Sequence, residues 1–242
     1  MHAGYAVRAV YPHDKAIRLL DLIWRDQLTV THRFKDNPRN YIVRAEFEGE
    51  DLIVKIPRSR NKRAQERLMT WFRAGEAERR YASMQQLEAL GFACTPPVLA
   101  AERRRCGMVT DNVLVYRYVD GRLARPGDEE ALAQVLLPFY AMGYLRRDCK
   151  PSNFVIAADT GAVHFIDFRL TRPRILRTFR VMMEMNQFLR NMPTARPLVM
   201  EQGYDTWFFA VAGWWSLFGY RLNAYRRRLS RLLRGQSGAH TQ

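Results

Sequence analysis

The sequence is poor in cysteine and has no apolar run long enough to cross a bilayer. Its three cysteines, Cys94, Cys106 and Cys149, form no CxxC pair, which argues against a disulfide framework and against a zinc site. We therefore expect a reducing, cytoplasmic compartment. The longest apolar block, Trp207 to Tyr220, has 14 residues, whereas a spanning helix needs roughly 20. Residues 1–15 lack the continuous apolar core of a signal peptide.

Acidic residues are too few to balance the basic ones. The chain of 242 residues has 39 Lys and Arg against 24 Asp and Glu, a net charge of +15. Such a charge favours polyanionic partners such as nucleic acid, anionic lipid or phosphorylated glycan, and composition alone does not choose among them. Because 48% of the residues are hydrophobic, the chain can bury a substantial core, which argues against global disorder.

The hydrophobic pattern predicts strands, a helix, further strands and then a mostly helical half. The predicted strands lie in "LTVTHRF", "NYIVRAEFEG", "DLIVKIP", "PPVLAAE", "NVLVYRYVDG", "NFVIA" and "AVHFIDF". Helices are predicted over Lys15–Trp24, over a charged segment that ends at Gly91, and over Glu129–Met142 with a kink at Pro138. Gly121 to Asp128 is the predicted lobe boundary. This order predicts an α+β fold with two lobes.

Four residues match, in chain order, the signature of protein kinases. The string "LIVKIP" supplies Lys55, "RRDCKPSN" supplies Asp148 and Asn153, and "FIDF" supplies Asp167. The five-residue step from Asp148 to Asn153 is the one that the motif H-R-D-x-x-x-x-N requires. The two aspartates lie 167 − 148 = 19 residues apart, enough for a loop and a hairpin that returns Asp167 close to Asn153.

Phosphoryl transfer explains why these residue types are wanted. The transferring group carries dense negative charge, so the protein positions the reactants and neutralises oxygens. Asn153 and Asp167 offer the oxygen ligands that Mg²⁺ prefers. Asp148 is the predicted base for the incoming hydroxyl, Lys150 the predicted partner of the transferring phosphate, and Lys55 the predicted contact of the α- and β-phosphates of ATP.

Lys55 needs a carboxylate to hold it, for which we choose Glu78, with Glu76 as the alternative. Each of these residues also has an ordinary structural explanation. A strand lysine and a helix glutamate are usually solvated, and Asp148 with Asn153 are common turn formers. Asp167 carries more weight, because an unpaired carboxylate inside "VHFIDF" would be costly and so calls for a partner or a metal.

The string "RDCKPSNFVI…VHFIDF" resembles the catalytic core of the protein kinase-like fold. The segments "KIPRSRNKRAQERLMTWFRAGEAERRY" and "GFACTPPVL" resemble the bacterial lipopolysaccharide kinases, and most of all the core heptose kinases, with the Kdo kinases close by. The resemblance covers about Tyr41 to Leu170. It implies a small antiparallel-sheet N-lobe (residues 1–119) that binds the nucleotide and a mostly helical C-lobe (residues 120–242) with the catalytic loop and metal site.

The function that the resemblance implies is ATP- and Mg²⁺-dependent phosphorylation of a sugar hydroxyl, heptose first, in the lipopolysaccharide inner core. The place of reaction would be the cytoplasmic face of the inner membrane. Kdo, a protein or a small molecule are alternative acceptors. A membrane-associated pseudokinase is the non-enzymatic alternative, against which the intact set of Lys55, Asp148, Asn153 and Asp167 argues. The oligomeric state stays open.

Three positions depart from the kinase pattern. The tip between the first two predicted strands, "KDNPRN", has no glycine, so Lys35, Arg39 and Asn40 are expected to contribute to phosphate binding there. Arg146 stands where protein kinases have His, and Arg169 stands where D-F-G has its glycine. None of these changes removes a residue that binds metal or accepts a proton, so we expect activity.

Basic segments are the predicted contact with an anionic membrane. "RRRLSRLLR" at Arg226–Arg234 is a short basic amphipathic stretch, for which a solvated helix face is the alternative explanation. Trp214 and Trp215 are predicted to be core residues. Nucleic acid is not an expected partner, because the basic runs are largely aliphatic and hold few interleaved aromatic residues on which bases could stack.

Overall fold

The computed structural model describes residues 4–58 and 64–236, without the side chains of residues 220, 223, 224 and 226–236. The chain divides into two compact units. Met1–Ala124 with Ser152–Leu170 form the first unit, and Arg125–Pro151 with Thr171–Gln242 form the second. This division differs from the predicted lobes because residues 152–170 belong with the first unit, where their strands find hydrogen-bonding partners.

The first unit is built on a six-stranded antiparallel sheet with the strand order β1-β5-β6-β4-β3-β2. The strands are β1 (Tyr5–Ala9), β2 (Thr29–Asp36), β3 (Tyr41–Phe47), β4 (Glu50–Ile56), β5 (Pro97–Arg105) and β6 (Met108–Arg117). The β3–β4 hairpin turns at Glu48 and Gly49, both with positive φ, as a two-residue turn requires. Helix α1 (His13–Trp24) covers one face, where Leu19 and Leu20 join the hydrophobic core.

Two more helices of the first unit follow β4: α2 (Ala64–Met69) and α3 (Glu76–Ala89). Helix α3 buries Ala77, Tyr81, Met84 and Leu87, which recur every three or four residues and so form one face. Its N-terminus is held by the Glu102 carboxylate, which accepts the backbone N–H groups of residues 75 and 78 at 3.0 and 3.1 Å. A carboxylate there also complements the positive end of the helix dipole.

A three-stranded sheet completes the first unit, with β7 (Gly121–Leu123), β8 (Phe154–Ala157) and β9 (Val163–Phe165) in this order. Gly121 is required at its position, because a Cβ atom there would lie 2.2 Å from the Ile156 carbonyl oxygen. A bridge between Cys94 and Phe165 ties β9 to the segment before β5. The Ile166 N–H donates to the Asn153 carbonyl at 3.0 Å, so the hairpin returns as the spacing predicts.

The second unit is helical, as the sequence predicts. Its helices are α4 (Glu129–Ala141), α5 (Arg177–Asn191), α6 (Arg196–Val199) and α7 (Trp207–Gln236). Leu136, Phe139, Met185 and Phe188 are among its buried side chains. Helix α4 continues past Pro138, which lies within one turn of the end of the helix at Ala141. Within the described residues, no helix is long and apolar enough to cross a membrane.

Helix α7 corrects one prediction about the core. Trp214 and Trp215 are exposed, at 64% and 53% of their full surface, whereas Phe209 and Ala212 are buried. Positions 209 and 212 lie on the side of α7 that packs against α5, and the tryptophans lie on the other side of the same helix. The basic side chains predicted as a membrane contact, Arg226–Arg234, lie outside the described side chains.

Candidate active site

A cavity of about 370 Å³ opens in the first unit, within the size range of small-molecule sites. Its walls are mostly apolar and aromatic, with a few polar groups. The apolar lining includes Phe34, Ile42, Ile53, Tyr116, Tyr118, Val119, Leu123, Val155 and Ile166. The polar lining includes Lys35, Lys55, Asn153 and Asp167. Four of the predicted site residues therefore line one cavity.

Lys55 lies near the end of β4 and is nearly buried, with 7% of its surface exposed. Its neighbours across the sheet are Ile42 of β3 and Leu114 of β6. The Lys55 ammonium donates a hydrogen bond to the Asp167 carboxylate. Burial and the nearby positive charge of Arg80 lower the pKa of Lys55, and the Asp167 carboxylate opposes that shift.

Asp167 binds two cations, because both Lys55 and Arg80 donate to its Oδ1 atom. Burial alone would raise its pKa, but the charges of Lys55 and Arg80 outweigh burial and hold the pKa well below its ordinary value. Its backbone φ is +50°, an uncommon value for a residue other than glycine that costs about 1–3 kcal/mol and is concentrated at active sites. The carboxylate therefore has the partner that the sequence called for.

Arg80 is a site residue that the sequence reasoning missed. Its guanidinium reaches Asp167 and also donates to Glu76, one helical turn earlier in α3, at 2.8 Å. Burial would lower the pKa of Arg80, but the two carboxylates raise it above its ordinary value. The i,i+4 spacing of Glu76 and Arg80 was the sequence signal that could have revealed it.

Glu78, our first choice as the partner of Lys55, lies against Arg8 at 2.6 Å instead. Residues two positions apart on a helix do not share a face, so only one of Glu76 and Glu78 can point toward Lys55. Glu76 has that orientation, since it lines one small cavity with Lys55 and Arg80 and accepts a hydrogen bond from Arg80. The carboxylate that the structure brings to Lys55 from α3 is thus our alternative, Glu76, and its main carboxylate partner is Asp167.

Asn153 ends a short 3-10 turn, Pro151–Asn153, and lines the cavity together with Asp167. One ionised carboxylate and one amide oxygen form a donor set that fits Mg²⁺, which usually takes one or two carboxylates and completes its shell with phosphate oxygens and water. No group of three or more His, Cys, Asp or Glu side chains that could hold a metal occurs among the described residues. The oxygen donors of Asp167 and Asn153 thus suit Mg²⁺ better than Zn²⁺.

The β2–β3 turn shows how a tip without glycine is shaped. The Asn37 side-chain oxygen accepts the backbone N–H groups of Arg39 and Asn40, both at 2.9 Å. Such turns mimic a backbone turn and need no glycine. Lys35 lines the cavity, and Arg39 lies exposed at the tip. The structure thus places Lys35, but not Arg39, in the lining.

Asp148 and Lys150 belong to the second unit. Their side chains are about half exposed and form an ion pair, with 3.3 Å between Lys150 Nζ and Asp148 Oδ2. The backbone of the preceding residue, Arg147, has a φ of +71°, which is uncommon for a residue other than glycine. Because both side chains are about half exposed, a polar acceptor molecule can reach the carboxylate and the ammonium from solvent.

Glu184 of α5 holds the loop that carries Asp148, and the sequence reasoning missed it. Its carboxylate accepts the backbone N–H groups of Arg146 and Arg147, both at 2.9 Å, and the Tyr140 hydroxyl at 3.2 Å. Burial raises the pKa of Glu184, against the N–H donors and the positive charge of Arg146. Glu184 is the single acid in α5, which was the only sequence signal.

Arg146, which replaces the usual His, is 1% exposed. Its charge acts on the carboxylate of Glu184 and on Cys149, whose thiol has its pKa raised to about 12 by burial. A buried guanidinium next to a buried carboxylate is a compensated arrangement. Arg146 therefore acts on the inner side of the loop, as a counter-charge, while Asp148 faces solvent.

The fold combines an antiparallel-sheet N-terminal part with a helical C-terminal part. No family model matches the chain, and no curated protein sequence matches it. Among solved structures, the chain is similar to WaaP in complex with acyl carrier protein, with a TM-score of 0.50 and 17% identity. The similarity covers 96% of this chain and 94% of that one. At this identity the comparison shows the fold, which is a WaaP-like kinase fold.

Proposed function

We propose that this chain is an ATP- and Mg²⁺-dependent kinase that phosphorylates a sugar hydroxyl, heptose first, of the lipopolysaccharide inner core. The observation that carries the proposal is the ionised Asp167 held by Lys55 beside Asn153, in the lining of a cavity of nucleotide size. The WaaP-like kinase fold supports the same activity, and so does the resemblance of "KIPRSRNKRAQERLMTWFRAGEAERRY" and "GFACTPPVL" to the core heptose kinases.

The first unit would bind ATP. The apolar walls of the cavity suit an adenine ring, and Lys55 and Lys35 are the cations in the lining that suit its phosphates. Asp167 and Asn153 would hold Mg²⁺. When bound, Mg²⁺ would neutralise phosphate oxygens on which charge develops. The Lys55 ammonium, already oriented by Asp167, would then meet the α- and β-phosphates.

The second unit would supply the groups that act on the acceptor. Asp148 is half exposed and suits the acceptance of a proton from the sugar hydroxyl, while Lys150 suits stabilisation of the transferring phosphate. Glu184 would keep the Asp148 loop in position by its hydrogen bonds to residues 146 and 147. Glu184 is in this sense a positioning residue.

The anionic core of lipopolysaccharide suits a protein with a net charge of +15. We further propose peripheral contact with the anionic inner face of the inner membrane, through the basic segments, because the acceptor is anchored in that membrane. The basic segments are Arg169–Arg180, which has five arginines and no acid, and the run Arg226–Arg234.

The test is incubation of the full chain with ATP, Mg²⁺ and core lipopolysaccharide of defined phosphorylation state, followed by mass spectrometry. We expect one phosphate on a heptose. Phosphate on Kdo instead would keep the reaction and change the sugar. A folded enzyme that adds no phosphate to any core sugar, or that labels generic protein and not glycolipid, would refute the proposal.

A further inference from the structure

Helix α7 carries a continuous stripe of exposed apolar and aromatic side chains. The stripe, which we call the aromatic face of α7, consists of Trp207, Trp214, Trp215, Phe218, Leu222 and Tyr225. These side chains have between 44% and 78% of their surface exposed. At about 100° of rotation per residue the six positions fall within about a third of the helix circumference, and they extend over about 27 Å. The rings of Trp214 and Phe218 stack at 5.9 Å.

The opposite side of α7 is already occupied by α5. Phe209 and Ala212 are buried there, and the Asn186 side chain donates to the Phe209 carbonyl at 3.1 Å. A Cβ atom at Gly213 would lie 2.6 Å from the Asn186 Oδ1 atom, so the two helices approach closely. Because one side of α7 is fixed in this way, the helix cannot bury its aromatic face within its own unit by rotating. The aromatic face of α7 therefore needs a binding partner outside the second unit.

The size of the aromatic face requires an explanation. Scattered exposed apolar residues are ordinary on soluble proteins, but a contiguous stripe of large ones marks a site that binds another protein or a membrane. Three of the chain's five tryptophans lie in this one stripe. Tryptophan and tyrosine favour the interface between lipid headgroups and acyl chains, where an apolar ring and a polar N–H or O–H are both accommodated.

Charge distinguishes a lipid surface from a second copy of the chain. From Thr206 to Gln242 the sequence holds six arginines and no acid, and Arg221 on the described part of α7 is exposed. Two copies that met along this helix would bring like charges together. An anionic bilayer complements both properties, since it attracts arginine and accepts aromatic side chains into its interface.

We infer that the aromatic face of α7 inserts into the interfacial layer of an anionic lipid bilayer, with the helix lying along the membrane plane. The inference rests on the proposed function for the presence of a membrane, and it adds the residues that enter it. In this inference the protein contacts the membrane by inserting apolar side chains, and the basic segments assist by attraction to the anionic lipid.

The test is co-sedimentation of the full chain with vesicles of phosphatidylglycerol and phosphatidylethanolamine, without ATP, so that binding is measured apart from catalysis. We expect binding to these vesicles and at least about tenfold weaker binding to neutral phosphatidylcholine vesicles. The variant Trp214→Ser/Phe218→Ser should lose at least about tenfold in binding to anionic vesicles. The variant Val10→Ser, which removes an exposed apolar side chain of the first unit, should bind as the original chain does.

Circular dichroism and thermal unfolding would establish that the double variant is folded, as expected for exposed positions. Its phosphotransfer to detergent-dispersed lipopolysaccharide, which needs no bilayer, should be unchanged, so that failure of this inference is separable from failure of the kinase proposal. Equal sedimentation of the folded double variant and the original chain would overturn the inference. So would a concentration-dependent dimer in light scattering that the double variant abolishes, because the face would then bind a second copy.

Discussion

Asp148 is the residue on which the proposed chemistry depends most. Its carboxylate is about half exposed and forms an ion pair with Lys150, and such surface pairs contribute at most about 1 kcal/mol to stability. Asp148→Asn should lower kcat by about 10²- to 10⁴-fold, because the amide cannot accept the proton of the acceptor hydroxyl. Steady-state kinetics would measure the loss, and an unchanged thermal unfolding midpoint would show that it is chemical. A normal kcat for the Asp148→Asn variant would exclude Asp148 as the base.

Glu76 and Glu78 allow a matched comparison at the residue scale. Glu76→Gln removes the carboxylate that pairs with Arg80 beside Asp167, and it should raise KM for ATP and lower kcat. Glu78→Gln removes only a partly exposed pair with Arg8, worth at most about 1 kcal/mol, and should leave both constants unchanged. Measuring KM for ATP and kcat of both variants under the same conditions shows which of the two glutamates supports the site. If Glu78→Gln proves the damaging change, the original assignment from the sequence is correct.

Element by element, most of the fold around the site could be predicted. Strands β2 to β6 and the β8–β9 hairpin have alternating or β-branched patterns, so each overlaps a predicted segment, although β2, β4, β5 and β6 extend one to four residues beyond theirs. Strand β1 was not among the predictions, because it pairs with β5, about ninety residues later, and its five residues form no distinctive pattern. A kinase-like site is likewise predicted from short sequence segments alone, because the motif depends only on residue types and their spacing. Its residues are Lys55, Asp148, Asn153 and Asp167.

The parts of the site that could not be predicted depend on long-range packing. Arg80 and Glu184 lie on helices whose rotation is set by their buried faces, and no short motif marks them. The choice between Glu76 and Glu78 was likewise a question of helix rotation. The exposure of Trp214 and Trp215 was missed because composition does not reveal which face of a helix has a neighbour to pack against.

Helix α5 supports the Asp148 loop through one buried carboxylate, and this predicts a pH dependence. Burial raises the pKa of Glu184 above its usual 4.5, so the folded state binds its proton more tightly than the unfolded state does. Stability that depends on this group is therefore largest at low pH and is lost as pH rises through the folded pKa. Glu184→Gln mimics the protonated form and removes this dependence.

The measurement is the free energy of unfolding of the original chain minus that of Glu184→Gln, between pH 4.5 and neutral pH. We expect this difference to fall as pH rises, by denaturant titration at each pH. A Glu201→Gln variant, at an exposed position, serves as the control and should show no such trend. A difference that is constant across the range would contradict the raised pKa.

The small sheet β7-β8-β9 depends on one glycine. Gly121→Ala would place a Cβ atom 2.2 Å from the Ile156 carbonyl oxygen, so the backbone of β8 must move. Because the β8–β9 hairpin carries Asn153 and Asp167 at its ends, we expect a loss of about 1–3 kcal/mol in stability together with reduced activity. Gly219→Ala, on α7 with open space around it, is the matched control and should gain up to about 1 kcal/mol. Unfolding and activity assays would check both.

At the scale of the whole molecule, charge governs the encounter with the acceptor. The Debye length falls from about 10 Å at 0.1 M salt to about 3 Å at 1 M, so attraction between a chain of net charge +15 and an anionic surface weakens. KM for lipopolysaccharide micelles should therefore rise over this range, and more steeply than KM for the deacylated core oligosaccharide. Initial rates at several salt concentrations would test this, and equal salt dependence for the two acceptors would contradict it.

The path of the chain through its two units limits how the protein can be divided into fragments. The backbone passes from one unit to the other after residues 124, 151 and 170, so neither unit is a contiguous stretch of sequence. A gene fragment that ends at residue 124 would encode a first unit without β8 and β9, which leaves β7 with no strand to pair with. A contiguous fragment that keeps the whole first unit must therefore extend to Leu170, and it carries Arg125–Pro151 of the second unit with it.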